Sequence, residues 1–193
     1  EYAKKGKVLS TIRFCVESLA GIPSILYGLF GYTCFVVQCA LGFSLISSAL
    51  ALAIMVLPVI IRSTEEALFT VPNSYREGSL ALGASKLTTL LRVVLPCAMP
   101  GILSAIILSM GRVMGETAAV YYTAGTMAKA PQSIYSSTRS LAVHLYLLVK
   151  EGLNSGEAFA TATILIVIIV GPNALASFIA KRLSRRLTGG KAI

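Results

Sequence analysis

Residues 62–96 read RSTEEALFTVPNSYREGSLALGASKLTTLLRVVLP and separate two long apolar stretches of the chain. Residues 65–67 are predicted to begin a short helix that Pro72 interrupts, and a second helix is predicted to begin near Tyr75. Ser85 can cap a third helix, which leads into the next apolar stretch. The segment therefore predicts short helices, set at an angle, that project from longer ones.

The neighbouring apolar stretches are long enough to cross a lipid bilayer. No charged residue occurs from Ser18 to Ile61, a run of 44, or from Ala158 to Ala180, a run of 23, and one spanning helix needs about 20. The chain is 55% hydrophobic and 13% charged, against about 25% charged in soluble domains. We predict an all-α, polytopic helical bundle that forms one domain, 1–193, with spans at about 22–40, 43–61, 96–122 and 158–180.

Lysine and arginine are unevenly distributed between the predicted connections. Of 17 in total, four precede the first span, four lie in residues 62–95 and five follow the last span. Three lie in the remaining long connection, and Arg112 lies inside a span. Because cytoplasmic loops retain Lys and Arg, residues 62–95 and both termini are predicted to be cytoplasmic.

The sequence gives no sign of a nucleic-acid, metal or nucleotide site. The net charge of +9 follows from the loop bias, and no nucleic-acid recognition motif accompanies it. The four cysteines lack metal-ligand spacing, and His144 stands alone. No GxxxxGK[ST] motif occurs, so any ATP must be hydrolysed by a partner. We expect no catalytic residue, metal or cofactor in this chain.

Two charged residues, Arg112 and Glu116, interrupt the third predicted span. Each costs about 2.5–3.5 kcal/mol in a span, so both should face protein or water. In a continuous helix they share one face, about 6 Å apart along the axis, toward the outer half of the membrane. Either they contact a substrate or they form a structural ionic lock. Thr117 and Thr123 add neutral hydroxyls nearby.

The first span begins with GIPSILYGLFG, residues 21–31. Pro23 and Gly28 suit a bent or closely packed helix. Ser24 and Tyr27 either face a substrate path or take part in ordinary helix packing.

Two amphipathic segments flank the spans. Residues 8–20 predict a helix along the cytoplasmic face, with a frayed linker as the alternative. Residues 139–151 predict an external helix that contains His144. This helix either meets a solute-binding protein or anchors at the membrane interface through Tyr146.

Residues 77–96 follow the spacing E-G-S-x3-G-x9-V-x-L-P, which resembles the EAA loop of ABC importer permeases, E-A-A-x3-G-x9-I-x-L-P. Every spacing matches; small residues replace the two alanines, and valine replaces isoleucine. In that family the loop contains a coupling helix that sits in a groove of a cytoplasmic ATPase. The resemblance implies ATPase coupling by Glu77, Gly78, Ser79, Gly83 and Ala84.

Four stretches narrow the resemblance to phosphate-importer permeases of the PstA type, which have a MetI-like core. They are LAGIPSILYGLFG (19–31), TEEALFTVPNSYREGSLALGASKL (64–87), GRVMGETAAVYYTAGT (111–126) and NALASFIAKRL (173–183). Such permeases usually have six spans, so two N-terminal spans are expected to be missing from this sequence. The resemblance implies a substrate path with Arg112, Glu116 and Thr117, and a gate helix with Pro23, Ser24, Tyr27 and Gly28.

The implied function is ATP-driven phosphate import across a bacterial plasma membrane. Its expected partners are a second permease subunit, a dimer of ATPase subunits that hold ATP and Mg²⁺, an extracytoplasmic phosphate-binding protein and membrane lipid. An arginine suits such a path because its guanidinium offers paired donors to phosphate oxygens. The alternatives are a permease for another oxyanion, such as sulfate or molybdate, and a channel or secondary transporter that needs no ATPase.

Overall fold

The structure, a computed structural model, describes residues 6–152 and 154–187. These residues form nine α-helices, two π-helical segments and no strand, which confirms the predicted all-α class. The α-helices are α1 (Lys7–Ala20), α2 (Ser24–Gly31), α3 (Leu45–Phe69), α4 (Asn73–Ala81), α5 (Lys86–Thr89), α6 (Leu95–Gly115), α7 (Ala118–Thr123), α8 (Leu141–Glu151) and α9 (Ser155–Leu187). The π-helical segments are Tyr32–Gln38 and Leu90–Val94.

The central helix of the bundle is α3, and three buried apolar clusters follow it from end to end. At its Phe69 end, Ala67 packs with residues from the start of α6. In the middle, Met55 and Val56 pack with Tyr27 of α2. Toward its Leu45 end, Leu52 packs against a cluster from α7 and α8. Each cluster therefore joins α3 to different helices, and α3 is the common packing partner of α2, α6, α7 and α8.

A second long helix runs continuously from Lys86 to Gly115, through α5, a π-helical segment and α6. Ser85 caps its start, since its Oγ accepts a hydrogen bond from the Thr88 amide at 3.2 Å. The predicted helix that leads into the third span is therefore confirmed. This helix lies antiparallel to α9, because Gly115 is close to Ile169 while Gly111 is close to Asn173.

Three helices are long and apolar enough to cross a membrane within the described residues: Leu45–Phe69, Lys86–Gly115 and Ser155–Phe178. The first predicted span differs from a simple helix, because Lys7–Ala20 and Ser24–Gln38 meet at a bend of 102°. Pro23 stands at this bend, with an extended ψ of 142°, immediately before α2. Because proline has no amide proton to donate, it favours the first turn of a new helix over continuation of α1.

Two other predicted boundaries also differ from the structure. Residues 65–67 do not begin a separate short helix, since α3 continues through them to Phe69. The predicted span 96–122 is interrupted, because α6 ends at Gly115 and α7 begins at Ala118. The predicted amphipathic helices at 8–20 and 139–151 are present as α1 and α8.

The two ends of the bundle are distinguished by their polar contacts. An ion pair between Arg13 and Glu65 joins α1 to the Phe69 end of α3. At the opposite end of the bundle, where α9 begins, the Nε2 atom of His144 in α8 lies 3.6 Å from Glu157 Oε1. Among the described residues, α1 and the start of α6 therefore lie at the Phe69 end of α3, and α8 lies at the opposite end of the bundle.

Candidate functional site

The charged pair in the third predicted span lies at a break between two helices. Arg112 occupies the last turn of α6, where the partial negative charge of the helix C-terminus favours a cation. Glu116 follows Gly115 with an extended backbone, φ −67° and ψ 128°, and Thr117 precedes α7. The spacing predicted that the pair shares one face of a continuous helix. This prediction is wrong, because α6 ends between the two residues. Glycine is a weak helix former, and Gly115 stands where α6 ends.

Arg112 and Glu116 form no ion pair with each other in the described part of the chain. The Arg112 side chain is exposed and that of Glu116 is half-buried. Non-helical backbone at membrane depth is tolerated only where it is covered by protein or lines a water-filled cavity. The break at Glu116 is such backbone, so this part of the chain is suited to face a polar path or a protein partner.

The neighbourhood of Arg112 is built by α2, α3 and α9. Val113 packs against the buried cluster that contains Tyr27, and Tyr27 lies within electrostatic range of Arg112. On the other side, a Cβ at Gly111 would overlap with the side-chain amide of Asn173. These close contacts fix the end of α6, so that the position of Arg112 follows the packing of three helices.

The predicted gate residues divide into packed and less buried ones. Tyr27 is only 5% exposed, and its hydroxyl donates a 2.7 Å hydrogen bond to the carbonyl of Leu19. Gly28 is buried against α7, where a Cβ would lie 3.0 Å from the Ala118 carbonyl oxygen. Ser24 is half-buried and Pro23 is exposed. In this conformation Tyr27 and Gly28 therefore serve helix packing, which was one of the two interpretations of this stretch.

The predicted coupling residues occupy α4 and the turn after it. Glu77, Gly78 and Gly83 are exposed, and no atom lies within 4 Å of a Cβ built on either glycine. Gly83 has a φ of +82°, a left-handed conformation that side chains other than glycine rarely adopt. The open space at this turn leaves the backbone free for close approach by another protein.

The other two coupling residues hold this turn in place. Ser79 Oγ and Thr89 Oγ1 are hydrogen-bonded at 3.0 Å, which links α4 to α5. The amide of Ala84 donates to the Ser79 carbonyl at 3.2 Å. Leu82, between them, is 90% exposed.

Sequence reasoning counted Arg76 only as a loop charge, but it has a structural role. Its guanidinium donates to the carbonyls of Leu68 at 2.7 Å and Val71 at 2.6 Å, and to Asn73 Oδ1 at 3.2 Å. The last carbonyls of a helix lack partners within the helix, and Arg76 supplies donors to them at the end of α3. Arg76 therefore fastens α4 to α3.

Comparison with known families and proteins agrees with this architecture. Residues 2–189 match the family described as the binding-protein-dependent transport system inner membrane component. The probable ABC transporter permease protein YqgI of Bacillus subtilis (strain 168) is 36% identical over 97% of this chain and 69% of its own length. The phosphate transport system permease protein PstA 1 of Mycobacterium tuberculosis (strain CDC 1551 / Oshkosh) is 35% identical over 94% of this chain and 60% of its own length.

A solved structure of the MetNI methionine ABC transporter, in an inward-facing conformation, has the same fold. It superimposes with a TM-score of 0.73 over 94% of this chain and 76% of the compared chain, at 22% identity. The likeness in fold agrees with the MetI-like core that the sequence predicted. The match of nearly the whole sequence to one family model, together with the YqgI relationship, shows that this chain is a member of the family of binding-protein-dependent transport system inner membrane components, a permease of the ABC importer type.

Proposed function

We propose that this chain is a permease subunit of an ATP-driven importer of inorganic phosphate. The observation that carries the proposal is the continuous helix Lys86–Gly115, which joins the exposed turn after α4 to Arg112. At 1.5 Å per residue, its 30 residues span about 45 Å. The PstA relatives, which are named as phosphate permeases, support phosphate as the substrate.

Arg112 is the proposed contact for the anion. Its guanidinium stays charged at any working pH and presents paired N–H donors that match two phosphate oxygens. Thr117 adds a hydroxyl donor across the helix break. Glu116 accepts a hydrogen bond from a protonated phosphate oxygen, and its negative charge keeps a bound anion from being held too tightly. The absence of an ion pair between Arg112 and Glu116 in this conformation leaves both groups available for these roles.

The proposed ATPase contact is formed by Glu77 and Gly78 of α4 and by Gly83 in the turn that follows it. Closure of the ATPase dimer, which holds ATP and Mg²⁺, would displace α4. Because Arg76 fastens α4 to α3 and Ser79 bonds to Thr89 of α5, the displacement would pass to two long helices together. The Arg112 end of the second helix would then change its exposure from one side of the membrane to the other.

The remaining partners follow from the exposed surfaces and the distribution of charge. The apolar face of α9 includes Phe159, Val167 and Phe178, each at least 60% exposed, and it suits lipid or a second permease subunit. With both termini and residues 62–95 in the cytoplasm, α8 and the segment before it face outward, where a phosphate-binding protein delivers its ligand. The protein would lie in a bacterial plasma membrane.

The test is uptake of labelled phosphate into vesicles that contain the complete complex. We expect accumulation that requires ATP and that excess unlabelled phosphate suppresses, whereas equal sulfate or molybdate does not. Uptake that sulfate or molybdate suppresses equally would assign the permease to another oxyanion, and uptake without ATP would favour a channel or secondary transporter.

Co-purification separates the importer from those last two classes independently of substrate. We expect the ATPase to be retained by the permease pair and to be lost when Glu77 is replaced by Arg. An unaltered chain that never retains an ATPase in the presence of its permease partner would contradict the importer function.

A further inference from the structure

The segment between α7 and α8, residues 124–140, has a defined shape although it contains no helix. Arg139 donates its amide to the Met127 carbonyl at 3.1 Å, and Thr138 Oγ1 donates to the Lys129 carbonyl at 2.9 Å. Nearer its base, Ser137 Oγ donates to the Ala124 carbonyl at 2.7 Å. These bonds tie the outgoing and returning halves of the segment together. The side chains of residues ten apart in sequence therefore belong to one surface.

A pocket of about 310 Å³ lies between the tied halves and the start of α8. This volume is at the small end of the range for ligand pockets. Its polar lining consists of two cations, Lys129 and Arg139, together with Thr138, Ser140 and His144. No carboxylate is among the described lining residues. The nearby Glu157 instead lies against His144, 3.6 Å from its Nε2 atom.

The presence of two cations in one pocket lining is unexpected for this end of the bundle. Only three Lys or Arg residues occur between Thr123 and Glu157. The third, Lys150, lies over the ring of Tyr146 at 5.8 Å and outside the pocket. Within the described chain, Lys129 and Arg139 form no ion pair with a carboxylate. Two unpaired positive charges that line one pocket repel each other, and a bound anion would offset that repulsion by attracting both.

We propose that this pocket is a second anion site, which takes a small oxyanion such as inorganic phosphate on the outer face before it enters the path. The choice of phosphate as the ligand and of the outer side of the membrane rests on the proposed function. The existence of the pocket and its two cations does not depend on that function. The Arg139 fork supplies paired donors and Lys129 supplies a point charge. The start of the 11-residue helix α8 adds the partial positive charge of its N-terminus. Arg112 is not part of this pocket, so the two anion contacts are separate.

The test is a titration of the complete complex with inorganic phosphate, without binding protein, in a background of Arg112→Ala that removes the proposed path contact. We expect phosphate binding that weakens as salt increases, because the cations are accessible to solvent. The combination of Lys129→Gln and Arg139→Gln should weaken it about tenfold or more, the usual effect of losing a charge-assisted hydrogen bond. Lys150→Gln is the matched control and should leave the affinity unchanged.

Each alternative outcome is decisive. If the Arg112→Ala complex binds no phosphate, or if the double substitution leaves the affinity unchanged, the external site is refuted. If the double substitution leaves the phosphate affinity unchanged but abolishes capture of the binding protein in a separate pull-down, the surface is a protein-docking site and the proposal fails. Should the double variant not assemble, Arg139→Lys keeps the charge without the fork and should still lower the affinity. Failure of ATP-driven phosphate uptake in the unaltered complex would refute the proposed function but not this titration.

Discussion

Two arginines, Arg76 and Arg112, lie near the C-terminal ends of α3 and α6 and have opposite surroundings. Arg76 donates to two backbone carbonyls and one side-chain amide oxygen. Arg112 makes no hydrogen bond or ion pair with any described residue and stands beside a break in the helix. An arginine whose donors are used by the backbone fixes a shape. One whose donors are unused, next to irregular backbone, is available to a ligand.

The largest effect should come from Arg112→Ala. Two charge-assisted hydrogen bonds to the anion would be lost, each worth about 1.5–3 kcal/mol, so phosphate uptake should fall roughly 100-fold or more. Uptake of labelled phosphate by vesicles with the complete complex measures this. Arg112→Lys keeps the charge but not the forked pair of donors, so its phosphate uptake should lie between that of Arg112→Ala and that of the unaltered complex. Undiminished uptake by Arg112→Ala would remove Arg112 from the path and leave only a structural role.

Replacement of Gly83 by Val should weaken ATPase binding by about tenfold. The φ of +82° costs a residue with a side chain about 1–2 kcal/mol, more when it is β-branched. Since nothing lies within 4 Å of the added Cβ, the effect would come from the backbone alone within this chain. The affinity of the ATPase for the permease pair is the measurement.

Gly78→Ala is the matched control for that substitution. Gly78 lies inside α4 with equally open space, and alanine favours the helix by about 1 kcal/mol. The EAA pattern has alanine there, so ATPase affinity should be unchanged or higher. Equal losses for Gly83→Val and Gly78→Ala would show that the added side chains block contact, and that the left-handed turn is not the cause.

A smaller effect is expected for Arg76→Ala. Removal of its donors leaves the Leu68 and Val71 carbonyls without that partner, at a cost of about 1–3 kcal/mol. Amide hydrogen exchange in α4 should therefore accelerate about tenfold, while that in α8 stays the same. Phosphate imported per ATP should also fall, because α4 would move without α3. Unchanged exchange in α4 would mean that Arg76 does not hold this helix.

The smallest effect should come from Arg62→Ala. Arg62 pairs with Glu66 at 3.2 Å on the exposed surface of α3, four residues apart. Such surface pairs contribute about 0–1 kcal/mol, so uptake should change less than about twofold. A loss of uptake comparable to that of Arg76→Ala would show that any positive charge near the Phe69 end of α3 affects transport. The hydrogen bonds of Arg76 to the backbone would then not explain its effect.

Local patterns predicted the second and third short helices of residues 62–96, because their signals are short-range. The Ser85 cap acts within three residues, and the EAA-like spacing is independent of the rest of the fold. The helix class and the approximate spans followed from hydropathy, which depends on composition over about 20 residues. Hydropathy also explains why the predicted span ends at residue 61 although α3 continues to Phe69. Arg62 and Glu65 lower the average hydropathy there, while the backbone remains helical.

Backbone direction and long-range capping could not be predicted in the same way. Pro23 indicated a bent helix, which the structure confirms, but the angle of 102° could not be derived from the sequence. The break at Glu116 lies inside an otherwise apolar stretch, where a hydropathy window shows no change. Gly115 was a possible signal for the break, but many spans contain glycine without ending there. Arg76 reaches carbonyls five and eight residues away, across a turn whose geometry only the structure provides.

The central claim is that docking at the turn after α4 and anion contact at Arg112 are two ends of one transmission. Simultaneous measurement of phosphate uptake and ATP hydrolysis in vesicles tests it most directly. Arg76→Ala should continue to hydrolyse ATP while importing less phosphate per ATP than the unaltered complex or Arg62→Ala, and Arg112→Ala should hydrolyse ATP with almost no import. An unchanged ratio of phosphate to ATP in both Arg76→Ala and Arg112→Ala would contradict the account.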